Sequence, residues 1–259
     1  MDWTVFLAEF AADWKLLGRS KATLGEYLRL LRDLRAYSPT EPSLAVVKAW
    51  LATSKSKDHA RYRGRAVRAF GKWAEVNDVE GWSWWRQVPL ANVAPTPQET
   101  VTERDVEVLF KRLVEPRDRL MVELLWSTGL RVSELSRLVW EDVNLDEQYV
   151  VVRQSKTGKP RLAPLSARAC RMIRRAPRYV DSLLGMSTQT IQRRLNRINA
   201  PTAHAFRRGW AVHALESGVS QTSVQAAAGW RNGAMVSRYV SQVSGSLAMV
   251  EFTRVEKTR

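Results

Sequence analysis

The stretch STGLRVSEL occupies residues Ser127–Leu135 and joins two predicted helices. The first helix begins near Arg117, Gly129 breaks it, and Arg131 begins the second. Glu134 follows three residues after Arg131, on the same helical face, where its carboxylate can hold the guanidinium. A guanidinium held in this way suits bidentate recognition of a phosphate. Taken alone, the stretch favours an ordinary surface Arg–Glu pair.

A β-hairpin is predicted soon after these helices. Residues 148–153 are rich in Val and Tyr, residues 161–165 form a second strand, and residues 157–159 supply the turn. In SKTGKPRLAPL, residues 155–165, Lys156 lies at the turn, where its ammonium group is free to reach a ligand. In isolation an ordinary charged turn is the better explanation.

Two later stretches place further polar groups on helices. In HAFRRGWAVHAL, residues 204–215, His204 and Arg207 are three residues apart at a helix start, so both can address one anion. A buried structural histidine is the alternative. In AAGWRNGAMVSRYV, residues 227–240, Trp230 follows a helix-ending glycine and Tyr239 lies on a short helix nine residues later. Core packing is the alternative for both aromatic residues.

The residues before Pro89 show helical patterns throughout. Ser20 and Ser43 are predicted to cap two helices, and residues 57–75 form another helix with one apolar face and one basic face. The basic face either contacts a DNA backbone or is simply solvated. Its members, the expected DNA-binding residues of this half, are Arg61, Arg65, Arg68 and Lys72.

Prolines interrupt the helical pattern between Val88 and Thr102, and Thr102 then opens a helix in a capping pattern with Asp105. The sequence therefore predicts a mostly α protein with a small antiparallel β-sheet. We expect a helical DNA-binding bundle at residues 1–88, a linker at residues 89–101, and an α+β domain with a C-terminal tail at residues 102–259.

The charge of the chain indicates a polyanionic partner. Its 259 residues carry a formal net charge of +15, and the basic residues are clustered. Such a surface binds nucleic acid because neutralising phosphates releases counterions. A second basic cluster, residues 153–178, contains no acid and adds Lys159 and Arg161 to the expected DNA-binding residues.

Composition also excludes several classes of protein. The single cysteine, Cys170, rules out an internal disulfide and a multi-cysteine zinc site, and the three histidines have no acidic neighbours at metal-ligand spacing. We therefore predict no metal and no cofactor. The first residues do not resemble a signal peptide, and no apolar run is long enough to span a bilayer.

Although each stretch is weak evidence alone, the ordered set is specific. From about Thr102 to Val240 the chain resembles the tyrosine recombinase family, also called the phage integrase family; residues 2–86 match only as a helical bundle of suitable size. The resemblance implies a core-binding bundle and a catalytic α+β domain. Members of the family often have an additional small domain that binds arm-type DNA sites, but with 88 residues before the linker we expect none here. Six residues carry the resemblance: Arg131, Lys156, His204, Arg207, Trp230 and Tyr239.

The resemblance assigns a role to each of these residues. Tyr239 would attack a DNA phosphate to give a 3′-phosphotyrosyl link. Arg131 (supported by Glu134) and Arg207 would hold the non-bridging oxygens, His204 and Trp230 would add hydrogen bonds, and Lys156 would protonate the leaving 5′-oxygen. In two places the chain departs from the pattern of many members: Arg208 and Trp230 each stand where histidine is common.

We expect an integrase that acts on double-stranded DNA at core-type sites, as a homotetramer on DNA and a monomer when free. The expected location is the cytoplasm of a bacterial host, in association with the nucleoid. Three alternatives remain open: a Xer-like resolvase of chromosome or plasmid dimers, a type IB-like topoisomerase, and a non-catalytic DNA-binding protein. The tail, residues 241–259, would dock on a neighbouring subunit or pack within its own chain.

Overall fold

The chain folds into two compact units, residues 1–96 and residues 97–259. The computed structural model describes residues 3–39, 42–93, 99–153, 160–178, 181–230, 232–233, 236–237 and 239. The predicted linker spans the division between the units. The predicted turn at residues 157–159 and the tail at residues 241–259 lie outside the described residues.

Capping side chains begin three helices of the first unit, two of them at the predicted residues Ser20 and Ser43. The hydroxyls of Ser20, Ser43 and Ser56 each accept a hydrogen bond from the backbone N–H three residues later, which satisfies a donor that the first turn leaves unpaired. A 3₁₀ turn, residues 83–87, follows the helices. Within the described part of this unit the helices are α1 (Trp3–Leu16), α2 (Lys21–Tyr37), α3 (Leu44–Ala52) and α4 (Lys57–Val76).

The core of the first unit is aromatic. Phe70 of α4 is fully buried and lies within 5.7 Å, centroid to centroid, of the rings of Trp3, Phe10 and Trp82. Edge-to-face and stacked ring pairs of this kind add to the burial of apolar area. The apolar face predicted for residues 57–75 therefore packs inward and leaves the opposite face of α4 to carry its basic residues.

The second unit consists of a central helix, with the other helices and a small sheet packed around it. Thr102 and Asp105 form the predicted capping box at its first helix. Val236 and Tyr239 are helical, as predicted. Among the residues described, its elements are α5 (Glu103–Arg112), α6 (Pro116–Thr128), α7 (Val132–Leu135), β1 (Val143–Asn144), β2 (Tyr149–Val152), β3 (Arg161–Pro164), α8 (Ala167–Arg175), α9 (Thr188–Arg197), α10 (Ala203–Glu216) and α11 (Gln221–Ala228).

The sheet is antiparallel, in the order β1-β2-β3. Strands β2 and β3 are the two strands predicted for the hairpin, and Val152 is paired with Arg161 at its described end. β1 was not predicted because it has only two residues and forms by pairing Val143 and Asn144 with β2. The predicted fold class, mostly α with a small antiparallel sheet, is confirmed.

Helix α6 is the centre of the second unit. Met121, Leu124 and Leu125 are fully buried, and α8, α10 and β3 pack around them. Two acids of α6 are also buried: Asp118 pairs with arginines of α9, and Glu123 pairs with Arg168 of α8. Paired in this way the carboxylates do not remain as isolated buried charges, so α6 fixes the second unit through both apolar and ionic contacts.

No helix in the described part of the chain has the length and apolar character needed to cross a membrane.

Replacing Phe70 by Ala should destabilise the first unit by about 3–5 kcal/mol, because the cavity left among the aromatic rings cannot close completely. We expect this loss in the unfolding transition of the first unit, measured by urea titration with circular dichroism. Val76→Ala is the matched control, since Val76 lies on the same helix but is 71% exposed; it should change stability by less than about 0.5 kcal/mol. Equal effects of the two substitutions would contradict the placement of Phe70 in this core.

Candidate active site

The first group of the candidate site, Arg131, is placed by the end of α6. Gly129 closes α6 in the left-handed conformation, with φ of 59°, and Arg131 becomes the N-cap of α7. Oε2 of Glu134 accepts from the backbone N–H of Arg131 at 2.8 Å, and Oε1 accepts from its guanidinium at 2.7 Å. The Arg–Glu pair predicted from the sequence is thus present, with the carboxylate 2% exposed.

A second arginine, Arg161 at the start of β3, binds the same carboxylate. Its two terminal nitrogens lie 3.1 and 2.8 Å from the oxygens of Glu134. Burial alone would raise the pKa of Glu134, but hydrogen bonds from Arg161 and from the backbone of Arg131 outweigh it, so the pKa lies below its ordinary value. Glu134 is therefore an anion held between two cations.

Arg207 lies deep in the site, on the first turns of α10. Its guanidinium donates to the carbonyl of Gly129 and, at 2.6 Å, to that of Ala228. Burial and the nearby charge of Arg131 lower the pKa of Arg207 to about 9, so it remains protonated at neutral pH. Two guanidinium groups held close together with so little solvent would be stabilised by an anion.

The C-terminal end of α11 is the acceptor for three arginines. Consecutive main-chain carbonyls are used: Ala227 accepts from Arg161 at 2.7 Å, Ala228 accepts from Arg207, and Gly229 accepts from Arg131 at 3.4 Å. These carbonyls are the negative end of the helix dipole and have no partner within the helix. The turn therefore brings together three positions that are far apart in the sequence.

Trp230 and Tyr239 adjoin this turn. The two rings are stacked with centroids 5.4 Å apart, and the guanidinium of Arg207 lies 5.2 Å from the ring centroid of Trp230. Tyr239 is buried, and it is close enough to Arg207 for its charged form to influence that guanidinium. The structure thus places the ring of Tyr239 near Arg207 of its own chain.

His204 stands at the start of α10, capped by Thr202. The residue is exposed, but partial burial of the ring lowers its pKa by disfavouring the charged form. Three nearby positive charges lower the pKa further. The ring is therefore neutral near pH 7 and able to donate one hydrogen bond without adding charge. The three charges, in decreasing order of effect, belong to Arg208, Arg207 and Arg131.

Five of the six predicted catalytic residues are thus described, and four of them lie at or next to one turn: Arg131, Arg207, Trp230 and Tyr239. The sixth, Lys156, lies outside the described residues, as does Lys159. Two guanidinium groups, a neutral imidazole, an indole N–H and a phenol can bind a tetrahedral anion and present a nucleophile to it.

The other residues predicted to bind DNA have different surroundings. On α4, Arg65 and Lys72 are exposed and Arg61 is half-buried, while Arg68 donates to the carbonyls of Val88 and Arg86 in its own unit. Arg161 donates to protein groups, and its side chain is only 8% exposed. DNA contact by these residues remains a prediction.

Sequence reasoning did not find the part played by the main chain. The carbonyls of residues 227–229 and of Gly129 have no side-chain signature; the only available signal was the glycine at the end of each helix. It also missed that Arg208 donates to the carbonyl of Glu99 at 2.7 Å. At Gly209, a Cβ would lie 2.0 Å from the carbonyl oxygen of Val101, so only glycine fits there.

Several known proteins are similar to this chain. The profile of the phage integrase family matches residues 99–244. Tyrosine recombinase XerA of Thermococcus kodakarensis is 34% identical, over 87% of this chain and 86% of that protein. Tyrosine recombinase XerC of Pelobacter propionicus is also 34% identical, over 80% of each.

A solved structure shares the fold. The lambda integrase tetramer bound to a Holliday junction superposes with a TM-score of 0.77 at 18% identity, covering 91% of this chain and 76% of that chain. The family profile covers more than half of the chain, and two relatives above 30% identity align along most of it. The chain therefore belongs to the phage integrase family and is a tyrosine recombinase, an enzyme that cleaves and rejoins DNA strands.

Proposed function

We propose that this recombinase integrates and excises a phage or other mobile element by exchanging strands at a defined core site. The observation that carries the proposal is the convergence of Arg131, Arg207, Trp230 and Tyr239 on the turn at residues 227–229. Such a site would bind a phosphate and present a nucleophile to it. The basic residues of α4 add a second surface for the DNA backbone.

In the proposed reaction, the phenol of Tyr239 gives up its proton to water and its Oη attacks the scissile phosphorus. A 3′-phosphotyrosyl bond forms, the bond from phosphorus to the 5′-oxygen breaks, and the 5′-hydroxyl leaves. Arg131 and Arg207 bind the non-bridging oxygens, where negative charge is concentrated in the transition state. The indole N–H of Trp230 and the imidazole of His204 donate further hydrogen bonds to that phosphate.

We assign proton transfer to the leaving group to Lys156. Its predicted position, at the end of the hairpin that begins with β2 and β3, lets a flexible ammonium reach the 5′-oxygen. Because the phosphotyrosyl bond conserves the energy of the phosphodiester, a new 5′-hydroxyl can reverse the reaction without ATP. Positive side chains supply the charge that other nucleases take from metal ions.

We further propose that the active assembly is a homotetramer on two core-type sites, formed from monomers that are free in solution. Lambda integrase, which has this fold, forms a tetramer on a Holliday junction. The reaction would take place in the cytoplasm of a bacterial host, at the nucleoid, where the DNA substrate is found.

Resolution of chromosome or plasmid dimers is the second candidate. It is favoured by the relatives, whose names are XerA and XerC. The two functions differ in their substrates, because resolution joins two copies of one site whereas integration joins two different sites. Sequencing the DNA that the purified protein cleaves, and then offering the sites as like and unlike pairs, separates them. Recombination of like pairs alone would overturn the integrase proposal.

A nicked suicide substrate should trap the wild-type protein covalently. Cleavage releases a short fragment that carries the 5′-hydroxyl, and without that hydroxyl the phosphotyrosyl bond cannot be reversed. Tyr239→Phe should abolish the adduct and leave the dissociation constant for DNA almost unchanged, because only the nucleophilic oxygen is removed. Denaturing gel electrophoresis measures the adduct and a mobility shift measures binding. If Tyr239→Phe still forms the adduct, Tyr239 is not the nucleophile. If the wild-type protein forms adducts on many DNA sequences, it is a topoisomerase. If the wild-type protein forms no adduct at all, it only binds DNA.

Lys156→Ala should slow cleavage by about 10²–10⁴-fold, the usual contribution of a general acid, with little loss of DNA affinity. A substrate with sulfur at the bridging 5′ position should restore the cleavage rate, because the thiolate leaves without protonation. Single-turnover cleavage in the presence of EDTA measures both rates. If the sulfur substrate fails to rescue the variant, the acid is another group.

In the free protein, the ring of His204 should titrate below 6.5, in the direction of its lowered pKa. Since the folded-state pKa is below the unfolded value, His204 contributes stability that is present above the unfolded pKa and is lost as the pH falls through the folded one. Vanadate, bound as a phosphate analogue by the arginines, should raise the pKa. Proton NMR titration measures both states, with His204→Gln to assign the resonance; a free-state pKa above 6.5 would contradict this electrostatic environment.

A further inference from the structure

Arg161 was expected to contact DNA, but its guanidinium is buried and donates to groups of the protein. Both terminal nitrogens donate to Glu134, and Nε donates to the carbonyl of Ala227. The side chain is 8% exposed. Its planar fork therefore spans two elements, α7 and the end of α11, that each carry part of the candidate active site.

Glu134 is the link between Arg161 and Arg131. Its Oε1 accepts from the guanidinium of each arginine, and its Oε2 accepts from Arg161 and from the backbone of Arg131. These four hydrogen bonds fill the acceptor capacity of a carboxylate. A carboxylate that is 2% exposed keeps its position only while its partners remain, so the orientation of the Arg131 guanidinium depends on Arg161.

The turn before Trp230 is shaped around Arg161 as well. Gly229 has φ of 64°, and a Cβ at that position would lie 2.9 Å from Cδ of Arg161 and 3.0 Å from its Nε. The absence of a side chain at Gly229 thus lets the arginine pass against the main chain and reach the carbonyl of Ala227. The turn is held on this side by Arg161 and on the other by Arg207.

We propose that Arg161 is a positioning residue for strand cleavage, which acts through Glu134 on Arg131 and through the carbonyl of Ala227 on the turn that carries Trp230, and does not itself bind the DNA backbone. The proposal rests on the proposed function, because it takes Arg131 to hold the scissile phosphate. It adds a residue outside the six that the family resemblance assigns.

The neighbouring strand supplies a matched control. Arg153 directly follows Val152, the residue of β2 that is paired with Arg161. It forms an ion pair with Asp142. Its side chain is 62% exposed, in contrast to that of Arg161. Replacing either arginine by methionine removes one positive charge from the same hairpin, so charge alone cannot explain a difference between the two variants.

The test compares wild type, Arg161→Met, Arg161→Lys and Arg153→Met in single-turnover cleavage of the suicide substrate at saturating DNA, and in binding at several salt concentrations. Arg161→Met should cleave about 100-fold more slowly, the effect of misplacing a reacting group by about 1 Å. Its affinity, and the slope of log affinity against log salt, should equal those of wild type. Arg153→Met should cleave at the wild-type rate.

A direct phosphate contact predicts the opposite pattern for Arg161→Met, with weaker binding and a salt slope smaller by about 0.9. That result would overturn the proposal, and so would a wild-type cleavage rate. Arg161→Lys decides the matter if the methionine variant fails to fold. Lysine keeps the charge but has one nitrogen in place of the three that Arg161 uses for Glu134 and Ala227. The proposal therefore predicts slow cleavage, whereas a backbone contact predicts near-normal cleavage.

A double-mutant cycle with Glu134→Gln separates positioning from a general loss of structure. If Arg161 acts through Glu134, the second substitution should slow cleavage by much less than it does alone, whereas independent effects would multiply and contradict the proposal. The proposed function is refuted by a different result, the absence of a covalent adduct with the wild-type protein. Rapid cleavage by wild type and by Arg161→Met together would refute only the role of Arg161.

Discussion

Three consecutive carbonyl groups at the end of one short helix connect separate parts of the candidate active site. Residues 227–229 accept hydrogen bonds from arginines that begin α7, begin β3 and lie in α10. A helix end of this kind has unpaired acceptors and partial negative charge. It therefore stabilises adjacent cations that would otherwise repel one another, and it does so with main-chain atoms whose position the fold sets.

The same arrangement holds the charged groups of the site in place through contacts within the protein. Arg207 is buried and its pKa is lowered to about 9, so its charge is held in a place where water solvates it poorly. Glu134 and the carbonyls offset only part of the free-energy cost of burying this charge, and a bound phosphate would offset more of it. Groups fixed in this way need little rearrangement when negative charge develops in a transition state.

Local signals predicted most of the fold, and long-range contacts explain what was missed. Ser20, Ser43 and Thr102 begin helices because each cap depends on residues within one turn. The order of the candidate catalytic residues was also readable, since each belongs to a short motif. The partners of Arg161 are 27 and 66 positions away in the sequence, and no local pattern distinguishes a buried arginine that orients other groups from an exposed one that binds DNA.

The attachment of residues 99–101 to α10 limits how this chain can be rebuilt. Arg208 holds the carbonyl of Glu99, and Gly209 lets the main chain at Val101 approach the helix that also carries His204 and Arg207. A chimaera that takes its amino-terminal half from another recombinase must therefore be joined upstream of Glu99. A junction placed after Val101 would replace residues 99–101, which pack against α10.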